Sequence, residues 1–402
     1  MKIKITPSAL CGSVSAPPSK SMAHRMLIGA GLCCGKSIVR GIEPSEDILA
    51  TLDCLEQIGA SYIREGNTVV VNGAGGIGAS DERELYCRES GSTLRFFIPI
   101  CLLEGKKTVF KGTEKLLSRP LNVYETICKA QGIEYVHNKN ELTVKGKISG
   151  GTYKVQGNIS SQFISGLLFA LPLLEKDSTI DIIPPIESSS YINLTIQTLS
   201  MFGVKVSWAD ERTLHIPGGQ KYIPRDVDVE GDYSNGAFFE ALNYLGHNVS
   251  VEGLKSDSIQ GDRVYGEYFP MLEKGTPTIH LSDCPDLGPV LFAVAAAKHG
   301  GVFNGTRRLK IKESDRGAAM AEELKKFGVS VRIEDDTIVV YPADFHTPDS
   351  ELCGHNDHRI VMSLSILLTI TGGIIDGAEA VKKSLPDFFD KLIQLGAKVE
   401  EL

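Results

Sequence analysis

Apolar residues along the chain follow a pattern that occurs six times. Each copy has an apolar run with helical spacing, a polar or glycine-containing turn, a short alternating strand and a breaker residue. The copies are LIGAGLCCGKSIVRG, FIPICLLEGKKTVFKG, LLFALPLLEKDSTIDIIP, FFEALNYLGHNVSVEG, VLFAVAAAKHGGVFNG and SILLTITGGIIDG. Their breakers are Gly41, Gly112, Pro184, Gly253, Gly305 and Gly377. The breakers are about 70 residues apart, with one interval of about 50, and such regular spacing is typical of internal repeats.

A second pattern lies between these copies and predicts a helix, a glycine turn, a strand, a hairpin turn and a strand. It occurs in LEQIGASYIREGNTVVVNG, ICKAQGIEYVHNKNELTVKG, LSMFGVKVSWADERTLHIPG and AEELKKFGVSVRIEDDTIVVYP. LIQLGAKVEEL begins the same pattern, whereas LEKGTPTIHLSDCPD in the short fourth unit lacks the hairpin. The sequence therefore predicts a βαβαββ unit repeated six times.

The repeat count and the length together predict two domains. A chain of 402 residues is too long for one ordinary hydrophobic core. Three units per domain give two similar α/β domains, residues 18–229 with units one to three, and residues 1–17 with 230–402 with units four to six. We expect the chain to cross near Pro17 and Pro18 and to return between Asp228 and Gly231, so that two strands form a hinge.

A polar cluster stands just before the first helix of every unit. The clusters are Ser19-Lys20-Ser21, Ser90-Gly91-Ser92, Ser160-Ser161-Gln162, Asp232-Tyr233-Ser234, Asp283 to Asp286 and Asn356-Asp357-His358-Arg359. At any single site, ordinary N-capping by Ser, Asp or Asn accounts for such residues. If these helix N-termini converge, their free N–H groups would make a site for anions.

Cations at selected positions favour the anion-site hypothesis. They are Lys20, Arg25, Arg119, Lys312, Arg316, Arg359 and Lys383. Guanidinium groups suit phosphate and carboxylate oxygens, and lysine supplies a compact charge. The formal net charge of −8 argues against nucleic acid or an anionic membrane as the main partner. A local group of cations for small anionic molecules is compatible with that charge.

The cysteines and the apolar runs predict a cytoplasmic protein. The nine cysteines include no CxxC pair and no zinc-type spacing, so reduced, mostly buried thiols are expected. The start MKIKITPSAL has no apolar signal region. The apolar run from Ile360 to Ile375 is too short for a membrane span and predicts a buried helix that enters a strand.

Ten segments, taken in order, resemble the EPSP synthase family of enolpyruvyl transferases across essentially the whole chain. They are PPSKSMAHR, SGSTLRF, LSRP, GNISSQFISGLL, SSSYINLT, GDYSNGAFF, DCPDLGPVL, KIKESDR, NDHRIVM and KKSLPDFF. The resemblance implies an α/β fold of two domains, each of three βαβαββ units in an inside-out barrel, that close over phosphoenolpyruvate and shikimate 3-phosphate. It implies no metal and no organic cofactor, and we expect a monomer.

The resemblance also implies which residues bind each substrate. For shikimate 3-phosphate they are Lys20, Ser21, Arg25, Ser160, Ser161, Gln162, Ser188, Tyr191, Asp286 and Lys312. For phosphoenolpyruvate they are Lys20, Gly91, Arg119, Gln162, Arg316, Arg359 and Lys383. A bare backbone at Gly91 would let an anion approach the helix N-terminus closely.

The implied reaction is an addition followed by an elimination. The 5-hydroxyl of shikimate 3-phosphate adds to C2 of phosphoenolpyruvate while the methylene gains a proton, and phosphate then leaves as the methyl loses one. Asp286 is the candidate base for the hydroxyl, and Glu313, with Lys383, is the candidate for proton exchange at the methyl. Lys20 and the other cations would stabilise the charge on the carboxylate and phosphate. The alternative for Glu313 is an i,i+3 partner of Arg316 on one helix.

One motif departs from the family pattern. The family usually has Asn-Ala-Gly-Thr where this chain has Glu89-Ser90-Gly91-Ser92. A carboxylate there is unfavourable for anion binding unless it turns away or pairs, which affects the expected affinity for phosphoenolpyruvate and for the family inhibitor glyphosate. The retained Gly91 favours sensitivity.

Three alternatives remain open at this point. The sister family that transfers enolpyruvate to a UDP-sugar usually has a loop cysteine and lacks the SKS motif, whereas this chain has SKS and no cysteine from Gly112 to Arg119. A non-catalytic anion-binding or RNA-end-processing relative is disfavoured by the acidic charge and by the presence of Asp286, Glu313 and Lys383. GAGLCCGKS resembles a P-loop but has three residues, not four, between its glycines.

Overall fold

The computed structural model describes residues 1–78 and 81–402. In these residues the strands are β1 Lys2–Thr6, β2 Cys11–Ser15, β3 Cys34–Arg40, β4 Ser61–Glu65, β5 Thr68–Ala74, β6 Glu82–Tyr86, β7 Lys107–Lys111, β8 Glu134–His137, β9 Glu141–Lys145, β10 Thr152–Gln156, β11 Ser178–Ile183, β12 Ser207–Trp208, β13 Thr213–Ile216, β14 Asp226–Asp228, β15 Asn248–Glu252, β16 Thr278–His280, β17 Gly301–Asn304, β18 Val331–Ile333, β19 Thr337–Val340, β20 Leu352–Cys353, β21 Gly373–Asp376 and β22 Lys398–Glu401.

Helices occupy most of the chain between these strands. The α-helices are α1 Lys20–Leu32, α2 Glu46–Gln57, α3 Gly91–Cys101, α4 Glu114–Leu117, α5 Asn122–Ala130, α6 Ser161–Ala170, α7 Ser189–Met201, α8 Tyr233–Tyr244, α9 Tyr265–Lys274, α10 Gly288–Ala297, α11 Arg316–Lys325, α12 His358–Thr371 and α13 Phe388–Gln394. Short 3-10 helices are Leu171–Leu173, Gly261–Val264, Pro285–Leu287, Arg307–Ile311 and Ala378–Lys383. Within residues 1–78 and 81–402, no helix is both long and apolar enough to cross a membrane.

The chain forms two compact units. One is Lys20–Glu230, and the other combines Met1–Ser19 with Gly231–Leu402. In the second compact unit, the segment that ends at Ser19 lies beside the segment that begins at Gly231. Pro18 forms a β-bridge with Gly231, and the Asp232 N–H donates to Pro17 O at 2.7 Å. Gln260 is buried there, donating to Gly231 O at 2.8 Å and accepting from Ser19 Oγ at 3.2 Å.

Five of the six repeat units have the same four-stranded sheet. The first two strands of a unit pair in parallel, the hairpin strands pair antiparallel, and the last hairpin strand lies beside the second strand. The orders are β14-β3-β5-β4, β6-β7-β9-β8, β10-β11-β13-β12, β16-β17-β19-β18 and β20-β21-β1-β22. The fourth unit has the two-stranded sheet β15-β2, which confirms the predicted loss of its hairpin among the described strands. The predicted βαβαββ repeat is therefore confirmed.

In each of the two compact units, one sheet contains a strand pairing between segments that are distant in sequence. β14, at the end of the Lys20–Glu230 unit, pairs in parallel with β3, with Asp226 opposite Ile38. β1 pairs antiparallel with both β21 and β22, with Ile3 opposite Ile375 and Glu401. The last repeat, which the C-terminal segment only begins, is thus completed by the N-terminal strand.

The first helix of most repeat units lies inside its compact unit, and the sheets lie outside. All residues of α10 from Gly288 to Ala296 are buried, as are those of α12 from His358 to Thr369. A helix that is apolar on every side is stable only when it is surrounded by other elements. α8, α10 and α12 pack against one another, and α3 packs against α6. The predicted buried helix that enters a strand is confirmed as α12 followed by β21.

Candidate active site

The N-termini of α3 and α6 are capped by serines and meet each other. Ser90 Oγ accepts from the Thr93 N–H at 3.2 Å, and Ser160 Oγ accepts from the Gln162 N–H at 3.3 Å. Gln162 Nε2 then donates to Ser92 Oγ at 2.9 Å, across the two helices. The two polar clusters are therefore N-caps, and they also lie together. Two positive helix ends consequently point towards one small region.

Gly91 lies against two guanidinium groups. A Cβ atom on Gly91 would be 3.0 Å from Arg119 Nη1 and 3.1 Å from Arg95 Nη1. Arg95 Nη1 donates to Gln162 Oε1 at 2.7 Å, so this arginine, which sequence reasoning missed, orients the glutamine. Arg119 is 8% exposed, and its Nε and Nη2 have no hydrogen-bond partner in the described part of the chain. A buried cation in this state is favourable only when an anion binds to it.

Arg25 is a second buried cation, located on α1. Its Nε donates to Thr195 Oγ1 at 2.8 Å, and its Nη2 donates to Tyr191 O at 3.1 Å. Its guanidinium lies 5.3 Å from the centre of the Phe96 ring. Burial lowers the pKa of Arg25 to about 10. Among the residues described, no carboxylate forms an ion pair with Arg25, and its neighbours are hydroxyls, carbonyls and aromatic rings that leave the positive charge available to an anion.

The remaining predicted residues of the Lys20–Glu230 unit lie at the N-termini of α1, α6 and α7. Lys20 is the first residue of α1, and its Nζ lies 2.9 Å from Asp47 Oδ2 on α2. Ser21 O accepts from Arg25 Nη1 at 2.6 Å. Ser188, with φ of +56°, is the residue before α7, and the Tyr191 N–H donates to its carbonyl. Ser161 is buried at the start of α6. Asp47 was not predicted, although two acidic residues in a first helical turn were visible in the sequence.

A chain of buried hydroxyls reaches the N-cap of α3 from His24. Thr93 Oγ1 donates to Ser90 Oγ at 2.7 Å and lies 2.8 Å from Thr51 Oγ1, while Thr51 Oγ1 lies 2.7 Å from His24 Nδ1. Because Thr93 donates to Ser90, it accepts from Thr51, and Thr51 in turn accepts from His24. His24 therefore carries its proton on Nδ1. Burial, with Lys20 and Arg25 nearby, holds the pKa of His24 well below its ordinary value, so the ring is neutral.

In the second compact unit, Asp286 is surrounded by three cations. Its Oδ1 lies 3.1 Å from Lys312 Nζ and 2.7 Å from Arg316 Nη1, and its Oδ2 lies 3.6 Å from Arg359 Nη2. Burial raises the pKa of this carboxyl, but the three cations together outweigh it and hold the pKa well below the ordinary value. Asp286 is therefore ionised at neutral pH and able to accept a proton. Burial also lowers the pKa of Lys312, against the opposing effect of Asp286.

Arg316 connects Asp286 to two further carboxylates. Its Nη2 lies 2.7 Å from Glu313 Oε2, and its Nε lies 2.9 Å from Asp357 Oδ2. The i,i+3 ion pair of Glu313 with Arg316 is present, but the prediction of one shared helix is wrong, because α11 begins at Arg316 and is capped by Asp315. Glu313 thus stands before the helix, where its backbone is not held by helical hydrogen bonds.

The segment before α12 holds the last two predicted cations. Asp357 caps α12, accepting from the Arg359 N–H at 2.9 Å, and Arg359 Nη1 donates to Asp286 O at 3.2 Å. Lys383 Nζ donates to Asn356 O at 2.6 Å. Asp357 was quoted within a motif, yet its ion pair with Arg316 was not predicted. In the second compact unit, ion pairs therefore join the predicted residues Asp286, Lys312, Glu313, Arg316 and Arg359. The predicted Lys383 lies at the adjoining Asn356 carbonyl.

The two units offer different chemistry. The Lys20–Glu230 unit presents buried arginines, hydroxyls and helix N-termini, which suit the binding of phosphate and carboxylate oxygens. The other unit presents carboxylates interleaved with cations, which suit proton transfer beside a developing negative charge.

Comparisons with known proteins identify the family of the whole chain. The family model of EPSP synthase (3-phosphoshikimate 1-carboxyvinyltransferase) matches residues 5–274 and 264–392. A 3-phosphoshikimate 1-carboxyvinyltransferase of Clostridium kluyveri is 39% identical over 99% of this chain and 98% of its own. One of Clostridium perfringens strain 13 is 40% identical over 100% of this chain and 99% of its own. A solved structure of EPSP synthase from Acinetobacter baumannii covers 100% of both chains with a TM-score of 0.80 at 24% identity, which supports the fold alone. The chain belongs to the EPSP synthase family.

Proposed function

We propose that this protein transfers the enolpyruvyl group of phosphoenolpyruvate to the 5-hydroxyl of shikimate 3-phosphate. The products are 5-enolpyruvylshikimate 3-phosphate and phosphate, within the biosynthesis of chorismate and the aromatic amino acids. The observation that carries the proposal is the pair of buried arginines, Arg25 and Arg119, that lack a carboxylate partner in the described chain. Both substrates are phosphate-bearing anions, and each needs at least one such cation.

Shikimate 3-phosphate is assigned to the hydroxyl-rich residues. These are Lys20, Ser21, Arg25, Ser160, Ser161, Gln162, Ser188 and Tyr191, with Asp286 and Lys312 from the second unit. The hydroxyls and the glutamine amide can bond to the ring hydroxyls and the phosphate, and the contacts around Arg25 fix its guanidinium in one orientation. Buried, pre-oriented donors of this kind bind an anion with little reorganisation.

Phosphoenolpyruvate is assigned to the most cationic group. These residues are Lys20, Gly91, Arg119, Gln162, Arg316, Arg359 and Lys383. The bare backbone of Gly91 beside the Arg119 guanidinium supports this assignment, since a side chain there would occupy the space next to the charge.

In the proposed reaction Asp286 accepts the proton of the 5-hydroxyl as the oxygen adds to C2 of phosphoenolpyruvate. Glu313, with Lys383, delivers a proton to the methylene and later removes one from the methyl, so that phosphate leaves and the double bond reforms. Lys20 and the arginines stabilise the negative charge of the tetrahedral intermediate. Asp286 is ionised, as a base must be before it accepts a proton, although the same three cations that lower its pKa also make it a weaker base.

We also propose a cytoplasmic monomer with these two small molecules as its partners. All nine cysteines are free, and six of them are buried, as expected in a reducing compartment.

Phosphate release tests the function, with phosphoenolpyruvate as donor and shikimate 3-phosphate or UDP-N-acetylglucosamine as parallel acceptors. We expect release with shikimate 3-phosphate alone. Release with the UDP-sugar would assign the chain to the sister activity, and no release with either would favour a non-catalytic anion-binding protein.

A further inference from the structure

Glu323 is a buried carboxylate on α11 that none of the proposed steps uses. Its side chain is 0% exposed, and it has contacts on both oxygens. Oε1 lies 3.0 Å from His355 Nε2, and Oε2 accepts from the Cys353 N–H at 2.9 Å. Lys326 Nζ lies 2.9 Å from Oε2 and also donates to Glu351 O at 2.9 Å. Glu323 and Lys326 therefore connect α11 to the segment from Glu351 to His355.

Glu323 lies on the same face of α11 as Arg316. The two residues are seven positions apart, which is close to two helical turns and about 10 Å along the axis. Arg316 binds Asp357, and Glu323 binds Cys353 and His355. One helix face consequently fixes both ends of the short segment from residue 353 to residue 357.

The backbone between these two anchors is in an uncommon conformation. His355 and Asn356 are consecutive non-glycine residues with φ of +48° and +51°. The left-handed region disfavours such residues, so the surrounding contacts must maintain it. Lys383 donates to Asn356 O, and Asp357 caps the helix that carries Arg359. A change at the Cys353 end would therefore displace the cations at the other end.

Glu322, Glu323 and His355 also have donor atoms within 4.8 Å of one another, as in some metal sites. The ammonium of Lys326, however, contacts both oxygens of Glu323, at 3.1 and 2.9 Å. A metal ion would have to displace this positive charge. The group is consequently better described as an ion-pair cluster.

We propose that Glu323, through its contacts with Cys353 and His355, is a positioning residue for the cations assigned to phosphoenolpyruvate. This inference rests on the proposed function. Glu323 itself does not touch substrate. It holds the left-handed segment, which fixes the Asn356 carbonyl that binds Lys383 and the Asp357 carboxylate that binds Arg316. Small displacements of such groups have large kinetic effects.

The cluster makes this positioning dependent on pH. The ring of His355 faces Glu323 and Lys326 on α11 and Glu322, which stands one residue before Glu323. The backbone N–H of His355 donates to Cys353 Sγ at 3.3 Å. The hydrogen bond to Glu323 raises the pKa of His355 above its ordinary value. The ion pair of His355 with Glu323 therefore stabilises the folded protein fully at pH values below the unfolded pKa of His355. This stabilisation is lost as pH rises through the folded pKa of His355. We expect kcat/KM for phosphoenolpyruvate to decrease over that range.

The experiment uses the full chain with Glu323→Gln and His355→Gln, and with Glu322→Gln as the matched control on the exposed neighbour. Steady-state phosphate release gives KM for each substrate, and NMR of ε1-labelled histidine gives the titration of His355. We expect the first two variants to raise KM for phosphoenolpyruvate about tenfold, as for a lost hydrogen bond to a charged group, with KM for shikimate 3-phosphate almost unchanged. Glu322→Gln should retain the wild-type kinetics.

The pH profile separates positioning from a purely structural role. In His355→Gln the alkaline decrease of kcat/KM should be absent, and in Glu323→Gln the His355 titration should move to lower pH. Variants that lose only thermal stability and retain the wild-type KM and pH profile would overturn the proposal, as would stoichiometric Zn²⁺ binding that Glu322→Gln abolishes. If the wild type itself releases no phosphate, the proposed function fails. If the wild type is active and both variants have the same kinetics, only the positioning role of Glu323 fails. Should Glu323→Gln not fold, His355→Gln alone decides the outcome.

Discussion

Arg316 and Asp357 form a two-point ion pair in which neither side chain reaches the surface. Arg316 Nε lies 2.9 Å from Asp357 Oδ2, and Nη2 lies 3.4 Å from Oδ1. Their side chains are 1% and 0% exposed. The pair therefore links the start of α11, which carries Arg316, to the start of α12, which carries Arg359.

Asp357→Asn should destabilise the protein without removing the cap of α12. The amide oxygen can still accept from the Arg359 N–H, but the buried charge opposite Arg316 is lost. Removing one partner of a buried pair costs about 3–5 kcal/mol, and we expect the lower value because Arg316 retains Glu313 and Asp286. Urea unfolding measures the change. Asp335→Asn, at a surface pair with Arg307, should change the free energy of unfolding by less than about 1 kcal/mol; an equal effect of both variants would refute the prediction.

Acid should destabilise the wild type more steeply than Asp357→Asn. Burial raises the pKa of Asp357, but Arg316 outweighs it, so the folded pKa is below the ordinary value. The ion pair then contributes stability above the unfolded pKa, and this contribution is lost as pH falls through the folded pKa. The free energy of unfolding, measured from pH 7 to pH 3, should fall less in the variant. Parallel curves would show that the titration of Asp357 is not linked to folding.

Arg119→Gln should strongly weaken phosphoenolpyruvate binding and leave the fold at least as stable. The guanidinium is buried without a partner for Nε and Nη2 in the described chain, and such a charge is unfavourable in the absence of a ligand. We expect phosphoenolpyruvate to raise the melting temperature of the wild type but not of the variant, and kcat/KM to fall by about two orders of magnitude. Lys115→Gln, on the exposed side of α4 four residues earlier, is the matched control. A ligand-induced shift that persists in Arg119→Gln would contradict the assignment.

Gly91→Ala should weaken phosphoenolpyruvate selectively. The new methyl would lie 3.0 Å from Arg119 Nη1 and 3.1 Å from Arg95 Nη1. Both atoms are at the ends of flexible side chains, so folding should tolerate the change, while an anion loses its closest approach to the backbone. We expect KM for phosphoenolpyruvate to rise about tenfold, or about 1.4 kcal/mol, and KM for shikimate 3-phosphate to stay near the wild-type value. A parallel rise of both constants would indicate a general disturbance of α3.

Asp286→Asn should lower kcat much more than it raises KM for shikimate 3-phosphate. Loss of a general base typically decreases the rate by about 10²–10⁴-fold. The amide keeps the shape of the side chain but cannot accept the hydroxyl proton. Asp283→Asn, in the same polar cluster but exposed, should retain turnover. Wild-type turnover in Asp286→Asn would exclude this residue as the base, and the same experiment with Glu313→Gln tests the proton exchange at the methyl.

The repeat could be predicted from the sequence because its signals are local. Helical spacing, glycine turns and alternating strands recur within each unit, and the sheet orders follow from them. Some cations of the candidate site were also indicated by local signals, because Lys20, Arg316 and Arg359 stand in the first turns of α1, α11 and α12. The completion of the last sheet by β1 could not be predicted, since that pairing joins residues almost 400 positions apart.

The supporting residues of the candidate site were missed for a related reason. Asp47 and Glu323 lie on ordinary amphipathic helices, where an acidic residue normally faces water. Only the packing shows that Glu323 is buried and that Asp47 pairs with Lys20. A local pattern identifies which residues can bind an anion, whereas the residues that hold them in place are determined by contacts between distant segments.

The position of β1 also affects the order in which the two compact units can fold during synthesis. β1 is synthesised well before β21 and β22, yet it lies between them, and the Leu402 N–H donates to Lys2 O at 3.0 Å. The nascent strand therefore emerges with its partners still untranslated, whereas Lys20–Glu230 can close on β14 while synthesis continues. A circular permutant that joins the two termini and opens at a surface hairpin would make β22 and β1 a continuous hairpin, turning the last contact to form into one of the most local.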